Sequence, residues 1–169
     1  MQLSEQEIVR RESLQKLRNL GIDPYPAQQF KTTSSVNEVV NNFENLEGKE
    51  VILAGRMMSR RIMGKASFAE LKDASGRMQI YINRDEICTG EDKSMYNEVF
   101  KKLLDIGDII GIKGEVFKTK VGEKSVKVKE LTVLSKALKP MPVVKVDADG
   151  KTHDAFSDAE QRYRQRYVD

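Results

Sequence analysis

Alternation of apolar and polar residues between positions 51 and 84 predicts three consecutive β-strands. The apolar side chains of the first strand share one face at Val51, Leu53 and Met57, and a period of two is typical of a half-buried strand. The second and third strands are separated by a turn at 73–76, whose Asp, Ser and Gly favour a chain reversal. Each strand therefore has one face for a core and one face for solvent or a ligand.

The polar face of these strands carries an aromatic residue among charges. The alternation places Phe68 beside Glu70, and it places Gln79 of the third strand on the polar side as well. By the same parity, Arg56 and Arg60 of the first strand face outward. A large aromatic residue is usually buried, so two interpretations stay open. Phe68 either packs in a second small core under a helix, or it is a platform on which a base of single-stranded RNA stacks.

Helical periodicity and further alternation predict the other elements. A helix is predicted from 4 to 20, because Ser4 and Glu7 form a capping box and Gly21 suits a helix end. Five strands with a helix between the third and fourth are the arrangement of the OB-fold, a partly open barrel that often binds oligonucleotides. We predict a mainly β protein with flanking helices (α+β), namely a five-stranded OB-fold barrel with an N-terminal helical extension. The remaining predicted elements are a short helix at 35–43, a helix at 94–104, and strands at 108–118 and 125–134.

The fifth predicted strand contains a break in its alternation. Val126 and Val128 share one parity, whereas Leu131 and Val133 have the other. An extra residue near 129–130 would direct all four side chains to the core, which predicts a β-bulge. The alternative is that Val126 faces outward near the end of the strand.

Changes in composition divide the chain into four predicted parts. Residues 1–48 are the helical extension, and residues 49–138 are the barrel. A proline-bounded polar stretch at 139–155 predicts a linker. Residues 156–169 have the pattern of a helix that begins with a capping box and has no element after it. We expect these last residues to belong to a larger protein that continues beyond them.

Positive charge is concentrated on the strand-rich part of the chain. The whole sequence has a net charge of +3, yet residues 51–84 carry seven Lys or Arg against two acidic residues. Residues 113–139 carry eight Lys against three Glu. This distribution favours a polyanionic partner such as nucleic acid. Lysine-rich strand edges that protect a sheet against aggregation are the alternative explanation.

Composition also excludes several classes of site. Cys88 is the only cysteine and His153 is the only histidine, so neither an internal disulfide nor a cysteine-cluster metal site is expected. No apolar run approaches the roughly 20 residues that span a bilayer. The N-terminus lacks the apolar segment of a signal peptide. We therefore expect a cytoplasmic protein without a membrane partner.

Seven strings of the sequence are similar to strings of one known family. They are RMMSRRIMGKASF at 56–68, LKD at 71–73, LRNLGIDPYP at 17–26, GDIIG at 107–111, FKTK at 117–120, ELTVLSK at 130–136 and RYRQRYVD at 162–169. They resemble the N-terminal anticodon-binding domain of bacterial-type class II lysyl-tRNA synthetases, and the resemblance spans nearly the whole chain. The last string resembles the segment that leads into the catalytic domain, which implies that residues 156–169 are the start of that domain.

The related aspartyl and asparaginyl enzymes share the barrel, but RRIMGKASF resembles the lysine enzyme. One departure is the segment at 143–155, which is longer than the link typical of the family.

The resemblance implies roles for individual residues in nucleic-acid binding. Phe68 resembles the aromatic residue that stacks on an anticodon base, in agreement with its outward parity. Gln79 resembles the amide that reads the central uridine, since its carbonyl can accept from the base and its NH₂ can donate. Glu130 resembles the acidic residue near the same base. The implied backbone or base contacts are Arg60, Arg61 and, more weakly, Lys65, and parity adds Arg56 and Arg77 as candidates.

The resemblance also implies an activity for a full-length parent. That parent would be a homodimeric lysine–tRNA ligase that depends on ATP and Mg²⁺. We expect no catalytic, cofactor or metal site in these 169 residues, because no motif for ATP or lysine is found in them. The expected partner is the anticodon stem-loop of tRNA(Lys). The alternatives are a sequence-nonspecific single-strand-binding OB-fold protein and a barrel that serves mainly as a dimerisation surface.

Overall fold

The computed structural model describes residues 3–141 and two short strands beyond them. The chain divides into two compact units, Met1–Lys139 and Pro140–Asp169. In the second unit, Lys145–Val146 and Thr152–His153 form an antiparallel pair within the stretch that the sequence predicts to be a linker. The helix predicted at 156–169 lies outside the described residues.

Five strands of the first unit form a closed barrel. Their order around the barrel is β1-β2-β3-β5-β4, and β4 pairs with β1 to close it. Only β3 and β5 run parallel, and the other pairs are antiparallel. This topology confirms the predicted OB-fold barrel. The strands are β1 (Glu50–Met63), β2 (Ala66–Lys72), β3 (Arg77–Asn83), β4 (Ile109–Lys118) and β5 (Lys124–Ser135).

Helices precede the barrel and fill the connection between β3 and β4. The predicted capping box is present at Ser4 and Glu7, and Gly21 ends the first helix with a φ of 76°. The single helix predicted at 35–43 is divided into two short ones. Among the described residues, no helix is both long and apolar enough to cross a bilayer. The helices are α1 (Glu5–Asn19), α2 (Val36–Asn41), α3 (Phe43–Leu46), α4 (Arg84–Ile87) and α5 (Met95–Leu103), of which α5 has π-helical hydrogen bonding.

The barrel interior is filled by the inward-facing apolar side chains of all five strands. Leu53, Ile80 and Ile112 are fully buried there. Helix α5 adds Tyr96, whose hydroxyl lies 2.8 Å from the buried Ser67 hydroxyl. Because the tyrosine hydroxyl has a partner, this aromatic residue is buried without an unsatisfied polar group.

The N-terminal extension is fastened to the end of β5. The guanidinium of Arg10, which is almost completely buried, donates to the carbonyl oxygens of Ala137 and Ile106 at 3.1 and 3.0 Å. The Tyr25 hydroxyl donates to the carbonyl oxygen of Lys136 at 2.8 Å. Helix α1 and the extended segment after it therefore dock on the barrel through directional contacts.

A buried ion pair lies at the same end of the barrel. The Lys136 ammonium is 2.9 Å from the Asp108 carboxylate, and both side chains are completely buried. The ammonium also contacts Asp105, and the backbone N–H of Ala137 donates to Asp108. These bonds join the end of β5 to the turn before β4.

The β-bulge predicted in the fifth strand is confirmed. Lys113 of β4 lies opposite Glu130, whereas the next residue, Gly114, lies opposite Val128, so Lys129 is the extra residue. A side chain at Gly114 would place its Cβ 2.2 Å from the carbonyl oxygen of Lys127. The bulge therefore depends on a glycine across from it.

Candidate nucleic-acid interface

An open cavity of about 880 Å³ lies over the outer face of β2 and β3. Among the described residues, its lining comes from strands β1 to β4 and from the hairpin between β4 and β5. Because none of the described helices contributes to the lining, Phe68 faces an open cavity and does not lie beneath any of them. This observation favours the second of the two interpretations of Phe68, in which its ring is available to a ligand.

Three aromatic rings form a row along the cavity. Phe68 and Tyr81 lie opposite each other on β2 and β3, with ring centroids 5.2 Å apart and planes tilted by 55°. Tyr81 in turn lies 6.1 Å from Phe117 at 68°. All three side chains are partly exposed. The row presents apolar ring surface on which bases can stack.

A β-bulge in β1 decides which arginine faces this row. Met57 lies opposite Leu71, but Ser59 lies opposite Glu70, so Met58 is an extra residue. Beyond the bulge the parity is reversed, and Arg61 lies opposite Phe68. Directly opposed residues of an antiparallel pair point to the same face. Arg61 is therefore on the side of the cavity, which it lines.

The outward orientation predicted for Arg60 is wrong, because the bulge turns this residue to the side of Ala69. Its guanidinium donates to the carbonyl oxygens of Phe100 and Leu104, the latter at 2.7 Å, and lies 5.8 Å from the centroid of the Phe100 ring. Burial lowers the pKa of Arg60, and the nearby carboxylates of Asp105 and Asp108 act in the opposite direction. Arg60 therefore satisfies carbonyl groups at the end of α5.

Arg56, one of the two arginines taken from parity alone, also lies outside the cavity lining. Its guanidinium donates to the carbonyl oxygen of Gly107 at 2.7 Å. Lys65 is exposed beside the turn between β1 and β2 and does not line the cavity either. Both side chains are thus separate from the aromatic row.

Exposed cationic side chains border the cavity. Arg77 is 3.2 Å from Glu70, and both side chains are well exposed, at 55% and 37%. An exposed pair of this kind contributes little free energy and can be exchanged for a ligand contact. Arg61 and Lys120 are exposed at other positions of the lining. Three cations are therefore available to phosphate groups.

Gln79 contributes a carboxamide to the cavity lining beside the aromatic row. It occupies the position on β3 two residues before Tyr81 and lines the cavity. Within residues 3–141 its carboxamide forms no side-chain hydrogen bond to protein, so its donor and acceptor are both open to a ligand. An amide in this state can recognise the edge of a base.

The acidic residues of the cavity lining differ from the one that the family resemblance implies. Glu130 does not line the cavity; its side chain is 70% exposed, and its carboxylate lies 3.8 Å from the Lys113 ammonium on another part of the barrel surface. The bulge at Lys129 leaves two consecutive residues exposed and does not turn Glu130 toward Gln79. Glu123, in the hairpin between β4 and β5, lines the cavity instead.

Sequence reasoning did not select several of the lining residues, among them Tyr81, Phe117, Lys120 and Glu123, and the signals for these four differ. Tyr81 shares the outward parity of Gln79, so its place on this face was available from the pattern. Phe117, Lys120 and Glu123 lie far from β3 in the sequence. They reach the cavity because β5 pairs with β3, for example Ser125 with Gln79, and thereby brings the β4–β5 hairpin to it. No local pattern contains that pairing.

No metal centre is found in the part of the chain that the structure describes. Within it, no group of three or more His, Cys, Asp or Glu residues is arranged to hold a metal ion. The face presents ring surfaces, an amide, carboxylates and exposed cations, which are groups that can bind a nucleic acid.

Comparisons with known proteins agree with this geometry. Residues 51–134 match the family model described as the OB-fold nucleic acid binding domain. The chain is 62% identical over 168 residues to a lysine–tRNA ligase of Christiangramia forsetii, which covers 99% of this chain and 29% of that protein. It is 61% identical over 172 residues to the lysine–tRNA ligase of Porphyromonas gingivalis, and this match covers 100% of the chain and 30% of that protein. The identity to the lysine–tRNA ligase of Thermoanaerobacter sp. is 46% over 168 residues, with 99% and 31% covered.

The chain matches only the N-terminal part of these relatives. The chain spans only 29% to 31% of the length of the three relatives, and it corresponds to their N-terminal part. The barrel, the open aromatic face and the two kinds of match all describe the same region. This chain therefore belongs to the family of anticodon-binding OB-fold domains that form the N-terminal part of lysine–tRNA ligases.

Proposed function

We propose that this chain binds the anticodon stem-loop of tRNA(Lys) and reads its central base. The observation that supports this proposal most strongly is the pairing of an open aromatic ring, Phe68, with an unoccupied amide, Gln79, in one cavity. Bases of a single-stranded loop can be splayed out, stacked on aromatic side chains and hydrogen-bonded along their edges. The cavity offers groups for both interactions.

Stacking would supply most of the affinity in this mechanism. The central base lies on the Phe68 ring, which Tyr81 supports from the neighbouring strand. Since both residues are on regular strands of a closed barrel, the ring is held in place before RNA arrives, and little entropy is lost on binding.

Edge recognition would supply the discrimination. The Gln79 carbonyl accepts from the N3–H of uridine, and its NH₂ donates to an exocyclic oxygen. We assign the carboxylate of this site to Glu123, because it lines the cavity whereas Glu130 does not. A carboxylate disfavours phosphate, so its presence suits a position that meets a base donor. Cytidine, which presents an amino group and an unprotonated N3, would leave these groups incompletely paired.

Arg61, Arg77 and Lys120 would hold the phosphates of the loop. Each is exposed at the cavity, and phosphate contacts position a nucleic acid without reading its sequence. Arg77 can move from Glu70 to a phosphate at little cost, because an exposed ion pair is weak.

The proposal extends to the longer protein of which such a region is part. That protein would be a lysine–tRNA ligase that joins lysine to tRNA(Lys) with ATP and Mg²⁺, as a homodimer in the cytoplasm. Anticodon binding by this chain would orient the tRNA for a catalytic domain elsewhere. No step of that reaction is assigned to the residues described here.

The test is a titration of the chain with the anticodon stem-loop of tRNA(Lys) and with a variant in which cytidine replaces the central uridine. Measurements at two salt concentrations separate base contacts from phosphate contacts, because only the latter depend steeply on salt. A preference for uridine that persists at the higher salt concentration is the expected result. Equal binding of both loops, with a steep loss in salt, would replace the proposal by sequence-nonspecific binding of single strands.

A further inference from the structure

The cavity continues beyond the position proposed for the central base. It extends past Phe68 and Tyr81 to Phe117 and to the hairpin between β4 and β5. One base on Phe68 would leave the Phe117 end of this row uncovered. We propose that Phe117 is a second stacking position, which takes the base of the nucleotide next to the one on Phe68. This inference rests on the proposed function and adds a subsite to it.

The surroundings of Phe117 leave its ring available. The planes of Tyr81 and Phe117 meet at 68°, so the two rings touch without stacking face to face. The residue opposite Phe117 on β5 is Ser125, a small residue that covers less of the ring than a larger side chain would. The Phe117 side chain is partly exposed and lines the cavity. A ring used only for packing would have its faces covered by protein.

The hairpin next to Phe117 is organised as a firm wall. The Thr119 N–H donates to the Glu123 carbonyl oxygen at 2.9 Å, and the Gly122 N–H donates to the Thr119 carbonyl oxygen at 2.9 Å. The Thr119 hydroxyl also accepts from the Glu123 N–H at 3.0 Å. Gly122 has a φ of 89°, a conformation that suits glycine. The turn is thus held by its own hydrogen bonds.

The tip of this wall presents two side chains that suit a nucleotide. Val121 is 91% exposed, and Lys120 beside it is exposed as well. An apolar side chain can cover a ribose or the edge of a stacked base, while the ammonium neutralises the adjoining phosphate. Phe117, Val121 and Lys120 together therefore form a subsite for a single nucleotide of any base identity.

The experiment is a double-mutant cycle between protein and RNA. Stem-loops with an abasic nucleotide at the first or the third anticodon position are titrated into the wild-type chain and into Phe117→Ala. If Phe117 holds a neighbouring base, removal of that base weakens wild-type binding by roughly 5- to 150-fold, the worth of one stack. The same abasic loop then binds Phe117→Ala about as well as the intact loop does, because the interaction is already absent.

Two additional measurements make the result decisive. Phe117→Leu keeps apolar contact with Tyr81 but lacks a π-face, so it must repeat the Phe117→Ala pattern if the ring acts by stacking; thermal unfolding shows whether each variant is folded. Phe68→Ala with a loop abasic at the central position is the matched cycle for the proposed function. If Phe68 is coupled to the central base, but Phe117 is coupled neither to the first nor to the third anticodon base, this inference is overturned and the proposed function stands. Absence of coupling in both cycles, without preference for uridine, overturns both.

Discussion

The ring of Phe68 is the side chain on which the proposed nucleic-acid interface depends most. It lies on a regular strand, it is supported by Tyr81 at 5.2 Å, and it faces a cavity instead of a helix. Such a ring contributes binding free energy by stacking and contributes little to the barrel core, whose fully buried residues lie on the other face of the same strand.

We expect Phe68→Ala to weaken binding of the anticodon stem-loop by about 1–3 kcal/mol, the usual contribution of one base–aromatic stack. Calorimetric titration measures the loss, and Phe68→Tyr is the matched control because it keeps the ring. Unchanged affinity of the alanine variant would show that the ring only covers the strands beneath it.

The two glutamates provide a second test at this scale. Glu123→Gln should reduce the preference for uridine over cytidine at the central position, because it removes the only carboxylate that shares the cavity with Gln79 and is not paired with Arg77. Glu130→Gln, at 70% exposure and away from the cavity, should leave the preference unchanged. The comparison uses competition binding with the two loops. If Glu130→Gln reduced the preference for uridine more than Glu123→Gln does, Glu130 would be the carboxylate that contributes to recognition of the central base.

At the scale of elements, bulges and turns determine which side chains meet. The bulge at Met58 exchanges the orientations of Arg60 and Arg61, and the bulge at Lys129 allows β5 to bend around the barrel. The turn after β2 has a similar connecting role. Its Asp73 carboxylate accepts from the N–H groups of Ser75 and Gly76, and it also accepts from the Val36 N–H at the start of α2.

Asp73 makes the stability of this connection dependent on pH. Burial alone would raise its pKa, but hydrogen bonds from the Ser75 hydroxyl and from the N–H groups of Val36, Gly76 and Ser75 outweigh it, and the pKa lies below the ordinary 3.8. A carboxyl whose folded pKa is lowered stabilises the protein above its unfolded pKa. That contribution should be lost as the pH falls below about 4. Urea unfolding at several pH values measures this loss.

Asp73→Asn supplies the control for this pH dependence. The variant keeps the shape of the side chain but cannot titrate, so its stability should be lower at neutral pH and should fall less between pH 5 and the acid range. Parallel pH curves for the variant and the wild-type chain would assign the acid sensitivity to other carboxylates, among them Asp85 and Asp92, whose pKa values are lowered too, chiefly by hydrogen bonds from Arg84 and from the backbone of Ser94 respectively.

At the scale of the whole barrel unit, some cationic side chains stabilise the fold and others are exposed at the cavity. Lys136 and Asp108 are buried and connect the end of β5 to the start of β4. Arg56 and Arg60 bond to backbone carbonyl groups. The cations left for RNA are those exposed at the cavity. The excess of positive charge in the sequence therefore overstates the number of phosphate contacts.

Removal of the buried cation should destabilise the barrel strongly. Lys136→Met leaves the Asp108 carboxylate buried without its partner, which typically costs about 3–5 kcal/mol of unfolding free energy. Chemical denaturation measures the change, and the double variant Lys136→Met/Asp108→Leu should recover much of it, because the remaining carboxylate, Asp105, is partly exposed and no fully buried charge is left. A single variant as stable as wild type would show that water or Arg10 and its neighbours compensate the carboxylate.

The division of charge can also be tested through salt. Arg61→Gln should reduce the slope of log affinity against log salt by about 0.7, as expected for one phosphate contact on a single strand. Arg56→Gln is the matched control; it should leave the slope unchanged and lower the stability, since its guanidinium holds Gly107. Equal slopes for the wild-type chain and both variants would remove Arg61 from the phosphate contacts.

Local patterns were sufficient for much of this molecule. The alternation in β2 and β3 placed Phe68 and Gln79 on the open face, and the capping box at Ser4 and the left-handed Gly21 marked the ends of α1. These features depend on neighbours within a few residues, where side-chain periodicity and backbone preferences act directly. The break in the alternation of β5 likewise predicted the bulge.

Local patterns in the sequence were enough to predict the five strands, the helices α1 and α5, the class of the barrel and the aromatic ring on its outer face. Tertiary structure alone decided which charged residues join that ring. A bulge of one residue reverses the face of every following side chain, which withdrew Arg60 from the cavity and exposed Arg61. Closure of the barrel through β3 and β5 brought Phe117 and Glu123 to Gln79, although they are distant in the chain. Register and closure arise from pairing between remote strands, and no local pattern of residues contains that information.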